Sequence, residues 1–340
     1  MDEKKIELCV WNPEDTQIIP RFLEVLEAAH QHPMTSRKNI FLWKHRDNPA
    51  GPSIITYAVD TENDKVVSLE ALSPRKLSYN GQAYLSYESN DTSTHPDYGR
   101  RGLFTSLVKL GTEIASRRNA SFLYGFPNLN SKRGFVKLNW RDVGTTSVLV
   151  KPLRPLRVGF AFLTNRKKLR SFAGDIGNSP AINFANQSLP EDLEEILKMR
   201  ASWENLWVGY RDRSILEWRF LKHPFHTYRI ISTSKGLAFA MLGHRGPLKE
   251  CRVVEAYFRV EKSELRQAIK EVLRYVRERF NPDIISTILT TGHPYYEAFI
   301  RSGFYKAPSN IMFFNYPLSS CPSNIAGYPW AITGTDIDTQ

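Results

Sequence analysis

Apolar residues recur in short periodic runs separated by Gly, Pro, Asn and Asp. Ile6 to Trp11 reads as a short strand, and Pro20 to His30 as a helix with Phe22, Leu23, Leu26 and Ala29 on one side. Ser36 to Asp47 predicts a second short helix, stopped at Asn48-Pro49-Ala50-Gly51-Pro52. Ser53–Val59 and Lys65–Ser73 predict strands with a polar turn between them. Asn80-Gly81 predicts a tight hairpin turn from Arg75–Tyr79 into the long strand Gln82–Thr94, because both turn positions tolerate positive φ. Leu103, Leu107, Leu110 and Ile114 share one face of a helix that fades at Arg117-Arg118-Asn119. Ser121–Phe126 follows as a buried strand and is broken by Pro127-Asn128. A short helical piece then reaches Trp140, and a strand over Thr145–Val150 closes at Pro152. The order is β-α-α-β-β-β-α-β-α-β.

The second half echoes the first. Trp43-Lys44-x-x-x-Asn48-Pro49 returns as Trp218-Arg219-x-x-x-His223-Pro224, and Lys151-Pro152-Leu153 returns as Tyr316-Pro317-Leu318. Between these, Phe135-Val136-Lys137-Leu138-Asn139-Trp140 returns as Phe299-Ile300-Arg301-Ser302-Gly303-Phe304. Collinear echoes imply an internal duplication. Strands over Tyr228–Thr233, Gly236–Gly243 and Val253–Val260 lead into a helix over Ser263–Phe280, with Ser263 as its N-cap. The division expected is 1–153, a basic linker at 154–190, a second copy at 191–320 and a tail at 321–340 that carries Trp330, Thr333, Asp336 and Asp338.

A length of 340 residues with 41% hydrophobic content suits two globular cores. The apolar runs fall short of a membrane span, and the first residues do not read as a signal peptide. Cys9, Cys251 and Cys321 are isolated, so neither a disulfide framework nor a zinc site is indicated, and a reducing, cytoplasmic setting is expected. The net charge of +11 points to anionic partners. Dense basic stripes with interleaved aromatics are missing, which argues against nucleic acid. In the linker, Arg154, Arg157, Arg166, Lys167, Lys168 and Arg170 alternate with apolar residues. This is the pattern of a peripheral membrane contact at 154–170 or of a solvated basic face.

The stretch His95-Pro96-Asp97-Tyr98-Gly99-Arg100-Arg101-Gly102-Leu103-Phe104-Thr105 carries the candidate chemistry. A strand, a basic Gly-containing turn and a helix N-terminus aim several backbone N–H groups at one spot, a suitable cradle for phosphate or pyrophosphate. Neither GxxxxGK[ST] nor GxGxxG occurs in the chain. The stretch resembles the pyrophosphate loop [RQ]xxGx[GA] of the GNAT (Gcn5-related N-acetyltransferase) superfamily, with Gly102 as the central glycine. Gly99 stands at the usual Arg/Gln position, and Phe104 at the usual small one. The element order is also the GNAT order. After Asn128, Phe135 to Trp140 resembles the family's Y-x-K-x-G-F.

The resemblance implies a mixed α/β fold of the α+β type, made of two tandem GNAT folds, each a twisted, mostly antiparallel sheet flanked by helices. It also implies acetyl-CoA as co-substrate, direct attack by an amine, and no metal. Thr92 and Thr94 would align the pantetheine arm, Gly99, Arg100, Arg101, Gly102, Leu103, Phe104 and Thr105 would cradle the pyrophosphate, and Asn128 and Ser131 would line the other wall. Strand alternation puts Glu88 and Asn90 on one face and Asp91 on the other. Asp91, ahead of Glu88, is the candidate base. The family's acidic Tyr is replaced by Phe135, leaving Tyr124 or a water to protonate the thiolate. The text WKHRDNPAGPSI and YGFPNLNS is similar to a tandem branch that includes enhanced-intracellular-survival-type and surface-polysaccharide-associated acetyltransferases. That likeness implies an amino-sugar acceptor. A Fem-like aminoacyl transferase and a catalytically silent GNAT pair that serves as a binding module are the alternatives.

Overall fold

The computed structural model describes residues 5–31, 37–165, 169, 173–174, 187–201 and 203–337. Ser36, Arg166, Lys167, Lys168, Arg170 and Asp338, named above, lie outside the described residues. The elements in chain order begin with β1 (Ile6–Val10), α1 (Ile19–His30), α2 (Lys38–His45), β2 (Ile54–Asp60), β3 (Lys65–Tyr79), β4 (Gln82–Thr94), α3 (Leu103–Arg117), β5 (Phe122–Gly125), α4 (Leu129–Lys137) and β6 (Arg141–Pro152). Then come α5 (Pro155–Asn165), β7 (Ala173–Gly174), α6 (Leu193–Ala201), β8 (Trp207–Gly209), α7 (Arg213–Leu216), β9 (Tyr228–Thr233), β10 (Gly236–Arg245), β11 (Leu248–Phe258), α8 (Leu265–Phe280), β12 (Ile284–Thr290), α9 (Tyr296–Arg301), β13 (Tyr305–Pro317) and β14 (Trp330–Ala331).

The fold class is a mixed sheet flanked by helices, in two compact units. The first comprises Met1–Leu77, Ala83–Gly144 and Met312–Gly327. The second comprises Ser78–Gln82, Thr145–Ile311 and Tyr328–Gln340. Neither unit is a single run of chain.

In the first unit, β1, β2, β3, β4 and β5 pair in sequence order, and β5 then takes the end of β13 as its antiparallel neighbour, Phe314 facing Gly125 and Pro317 facing Phe122. Alternation along β3 sorts the two faces. Leu69 and Ala71 pack with Phe22, Leu26 and Phe41 of α1 and α2. Leu72, two residues from Glu70, packs with Val108 and Ala115 of α3. Gly111 of α3 lies so close to the sheet that a Cβ there would stand 3.0 Å from Leu72 Cδ1.

In the second unit, β9, β10 and β11 form an antiparallel run, α8 follows, and β12 lies parallel to β11. This repeats the order β2, β3, β4, α3, β5. The outer neighbour of β12 is β6, antiparallel over Thr146–Pro152.

Local differences from the sequence reading have physical causes. The strands expected over Lys65–Ser73 and Arg75–Tyr79 are one strand, β3, that carries Pro74 inside it, and the Pro74 carbonyl accepts from Asn48 Nδ2 at 3.1 Å. The hairpin turn is as expected, with φ of 48° at Asn80 and 80° at Gly81. Ser263 does not cap α8; Glu264 holds the N-cap position without a side-chain cap.

Candidate functional site in the first unit

β4 is not a regular strand. Asp91 sits inside it at φ 45°, a left-handed conformation that a non-glycine residue rarely adopts. The consequence appears in the side chains. Ser89 and Thr92, three positions apart, both donate to the Glu70 carboxylate, Ser89 Oγ to Oε1 at 2.7 Å and Thr92 Oγ1 to Oε2. Asn90 and Asp91, adjacent in sequence, instead both turn toward the α2 side. Asn90 Nδ2 donates to Ser73 Oγ at 3.0 Å, and Asp91 meets Lys44 and His45. One extra residue in the strand does this, as in a β-bulge. The strict alternation expected at sequence level, with Asn90 and Asp91 on opposite faces, is therefore corrected.

Past the bulge β4 has no partner in β5. The parallel pairing runs from Ser86 opposite Phe122 to Ser89 opposite Gly125 and stops there. β5 ends at Gly125, where a Cβ would press on the Ser89 carbonyl at 3.2 Å. Among the described residues, the backbone of Asn90–Thr94 is thus left without a strand on that side.

The turn before α3 is anchored from beneath. The Tyr98 hydroxyl donates to Asp60 Oδ2 at 2.5 Å, and this bond, together with one from Asn63, pulls the Asp60 carboxyl down to about 2. His95 acts as a turn residue, with Nδ1 accepting from the Asp97 N–H at 3.3 Å. Arg101 lies over the Tyr98 ring, 5.1 Å from its centroid. Gly99 takes φ −58°, while Arg100 and Gly102 take positive φ, 61° and 78°. At Gly102, the N-cap of α3, a Cβ would meet nothing within 4 Å. No side chain caps α3. Helix geometry leaves the N–H groups of Leu103, Phe104 and Thr105 without intrahelical acceptors. Exposed Gly99, Arg100, Arg101 and Gly102 thus border a set of N–H donors for which no side-chain acceptor is found among the described residues.

The side chains of Leu103 and Phe104 face the other way. Leu103 joins Ala58, Val67, Tyr98 and Leu107, and Phe104 packs edge-on against Phe135, ring centroids 5.2 Å apart. Phe104 also covers Gly134, where a Cβ would collide with its ring. A large residue at the usual small position is accommodated by a glycine one helix away.

The remaining candidates fall into separate roles. Asn128 and Ser131 form a capping box on α4, Asn128 Oδ1 accepting from the Ser131 N–H at 3.0 Å and Ser131 Oγ accepting from the Asn128 N–H at 3.2 Å. Both follow closely on Gly125, where β5 ends. Thr94 Oγ1 bonds Ser68 Oγ at 2.8 Å. Glu88 is buried and ion-paired with Arg75 Nη2 at 2.8 Å. Tyr124, opposite Glu88 in register, is buried with its ring edge-on to Phe126 and Phe313, which stack on each other.

Asp91 accepts from Lys44 Nζ at 2.7 Å and pairs with His45 Nε2 at 2.9 Å. Burial alone would raise its carboxyl, but the Lys44 charge and the His45 hydrogen bond outweigh it and hold Asp91 well below the usual carboxylate range. A carboxylate so stabilised accepts protons poorly. Glu70 is the opposite case. Burial dominates the hydrogen bonds from Thr92 and Ser89 and pushes its carboxyl up to about 8. Sequence reasoning passed over Glu70. The available signal was a lone Glu in the apolar run Val66–Leu72, since a strand apolar on both faces buries whatever charge it carries.

The acetyltransferase (GNAT) domain family matches residues 14–140. The first unit carries a GNAT acetyltransferase domain. The family is one of acyltransferases, and the loop, the bulge and the gap beside β4 all lie within the matched residues. No curated protein sequence matches the chain. Solved structures share the fold over far more of it. A GCN5-related N-acetyltransferase from Anabaena variabilis aligns with TM-score 0.62 and 11% identity, over 92% of this chain and 72% of that one. A conserved protein of unknown function from Enterococcus faecalis, described as a probable N-acyltransferase, gives 0.61 and 11% over the same shares. Saccharomyces cerevisiae N-myristoyltransferase with bound myristoyl-CoA gives 0.58 and 11%, over 93% and 83%.

The second unit shows no equivalent turn before α8 among the described residues. Where the loop would stand, Arg259 pairs with Asp192, and Glu264 at the start of α8 pairs with Lys235 Nζ at 3.1 Å. Among the described residues, no three His, Cys, Asp or Glu side chains come together as a metal site, and no helix is long and apolar enough to cross a membrane.

Proposed function

We propose that this protein is an acyl-CoA-dependent N-acyltransferase of the cytoplasm, that acetyl-CoA is its donor, and that its acceptor is the amine of an amino sugar destined for a surface polysaccharide. The observation that carries the reading is the uncapped start of α3 beside the unpaired backbone of β4, inside a GNAT domain. The acceptor class rests on the sequence likeness to tandem-GNAT acetyltransferases, and the second unit, as a degenerate copy, would shape the acceptor side. The donor supplies an activated thioester. The chain supplies N–H groups for its pyrophosphate, a strand edge at Asn90–Thr94 for its pantetheine amide groups, and a place for the acyl group where β4 and β5 part.

Binding of acetyl-CoA to the parent protein and to Gly102→Asp, read by calorimetry, tests the donor. The aspartate places a carboxylate among the N–H groups that would meet the pyrophosphate, so affinity is expected to fall at least about tenfold, with the melting temperature little changed. Failure of the parent protein to bind would remove the donor assignment and bring forward aminoacyl-tRNA or simple ligand binding.

For the proton of the attacking ammonium we assign a relay through the half-buried Thr92 hydroxyl to Glu70, with Asp91 as a structural ion and Tyr124 as donor to the departing thiolate. Glu70 is neutral below about pH 8 and accepts above it. The expected kcat/KM profile therefore rises with pH to a plateau, and Glu70→Gln is expected to lower the plateau about 100-fold and erase the inflection. Stability gives an independent check. In the unfolded chain Glu70 ionises near pH 4, whereas in the folded chain it stays protonated to about 8. Ionisation thus favours the unfolded state progressively as pH rises between those values, by an amount on the order of 5 kcal/mol in full. Glu70→Gln is expected to match the parent at pH 4 and exceed it at pH 8 in urea denaturation. Equal pH dependence in both proteins would rule Glu70 out.

A further inference from the structure

The α5 helix has two apolar faces. Ala161 and Val158 turn inward and pack with Leu248, Ile284 and Val150 of the second unit. Leu156, Phe160 and Leu163, at spacing i, i+4, i+7, form a stripe on the opposite side. Their exposures are 91%, 68% and 84%. A stripe of large apolar side chains this bare is unusual on a soluble surface.

Charge identifies the kind of surface that would cover it. From Val143 to Gly174 the sequence has no acidic residue, and Arg166, Lys167, Lys168 and Arg170 follow the helix directly. Arg154 and Arg157 at its start are held by the buried Asp283, with Arg157 Nη1 at 3.1 Å and Arg154 Nη1 at 3.4 Å from Oδ1, while about half of each side chain stays exposed. These contacts tie the N-terminal end of α5 to the protein body, so the stripe is presented on a fixed helix. A bare apolar stripe followed in sequence by a basic run is the two-part signal of interfacial binding, in which hydrocarbon takes the apolar face and anionic headgroups take the cations. A second copy of the chain would bring the same basic run against itself, which like charges oppose.

We infer that α5 is a peripheral membrane-docking helix that seats Leu156, Phe160 and Leu163 in the interface of an anionic bilayer. The inference stands independently of the acyl-transfer reading.

Co-sedimentation of the full chain with vesicles of phosphatidylcholine alone, or of phosphatidylcholine with phosphatidylglycerol, tests it. Binding is expected to the anionic vesicles only and to weaken in high salt. The triple variant Leu156→Ser, Phe160→Ser, Leu163→Ser is expected to lose at least about tenfold in partitioning, because the apolar part of the signal is gone while every charge remains. These positions are exposed, so the variant should keep the parent's melting temperature. A Phe160→Trp variant reports insertion directly, through added quenching of its fluorescence by brominated lipid chains. No binding to anionic vesicles at low salt would overturn the inference. So would binding that the triple variant leaves unchanged, or a dimer in lipid-free sedimentation that the triple variant dissociates.

Discussion

Lys44→Met is expected to destabilise the first unit by about 3–5 kcal/mol, because it leaves the Asp91 carboxylate in a largely buried site without its main counter-charge. Lys44 is almost fully enclosed, and so is His45, whose Nδ1 lies 3.0 Å from Ser53 Oγ. The pair therefore has little solvent to replace it. The effect should reach activity as well. Asp91 is the left-handed residue that bends β4, and the bend is what brings Ser89 and Thr92 onto one side at Glu70 and ends the pairing with β5. Releasing Asp91 should let β4 relax, with kcat falling more than acyl-CoA affinity. Urea denaturation of Lys44→Met, Asp91→Asn and the double variant separates the cases. If the ion pair sets the bulge, the double variant costs clearly less than the two single losses summed. Additive losses, or a single loss below about 1 kcal/mol, would show that the pair is incidental. The pH dependence has a defined sign. The Asp91 carboxyl is depressed in the folded protein, so its contribution is complete above the ordinary carboxylate range and fades as pH falls below about 4. In Lys44→Met this acid sensitivity should shrink.

A fragment ending at Leu153 is expected to fail as an independent fold. The strand that completes the first unit beyond β5 is Met312–Pro317, from near the other end of the chain. Phe314 is fully buried among Leu123, Phe135, Trp140 and Val108, and Leu318 joins the same cluster. Removing a buried Phe side chain alone costs about 3–5 kcal/mol, a large part of the roughly 5–15 kcal/mol that holds a domain together. Loss of the strand also exposes β5 as a new edge. Circular dichroism and urea denaturation of the 1–153 fragment should show no cooperative transition. Fusing residues 312–327 to that fragment through a flexible linker should restore one. Cooperative unfolding of 1–153 alone, at the midpoint of the full chain's first transition, would mean that the returning strand is dispensable.

Much of this was legible in the sequence because it is local. Leu103, Leu107 and Ile114 mark α3 by their spacing, and Asn80-Gly81 marks the hairpin by its tolerance of positive φ. Gly102 likewise marked the start of α3, where the first N–H groups lack intrahelical acceptors by backbone geometry whatever the rest of the chain does. The strands over Tyr228–Thr233 and Gly236–Gly243 and the helix before Phe280 were legible for the same local reason.

The site itself was only partly legible. Asp91 and Glu88 are carboxylates on the expected strand, but alternation could not show that Asp91 occupies a bulge or that Lys44 and His45 from α2 hold it. Glu70 looked like one polar residue in an apolar strand, and its altered acidity arises from burial in the fold, which outweighs the hydrogen bonds from Ser89 and Thr92 of β4. What the sequence determined alone was the succession of elements, the start of α3 after Gly102 and the apolar composition of α5 ahead of a basic run. Only the tertiary structure decided which carboxylate is held charged and which is kept neutral, and which distant strand completes each sheet. The reason is that charge state and strand pairing depend on through-space neighbours, whereas periodicity and turn chemistry depend on residues a few positions apart.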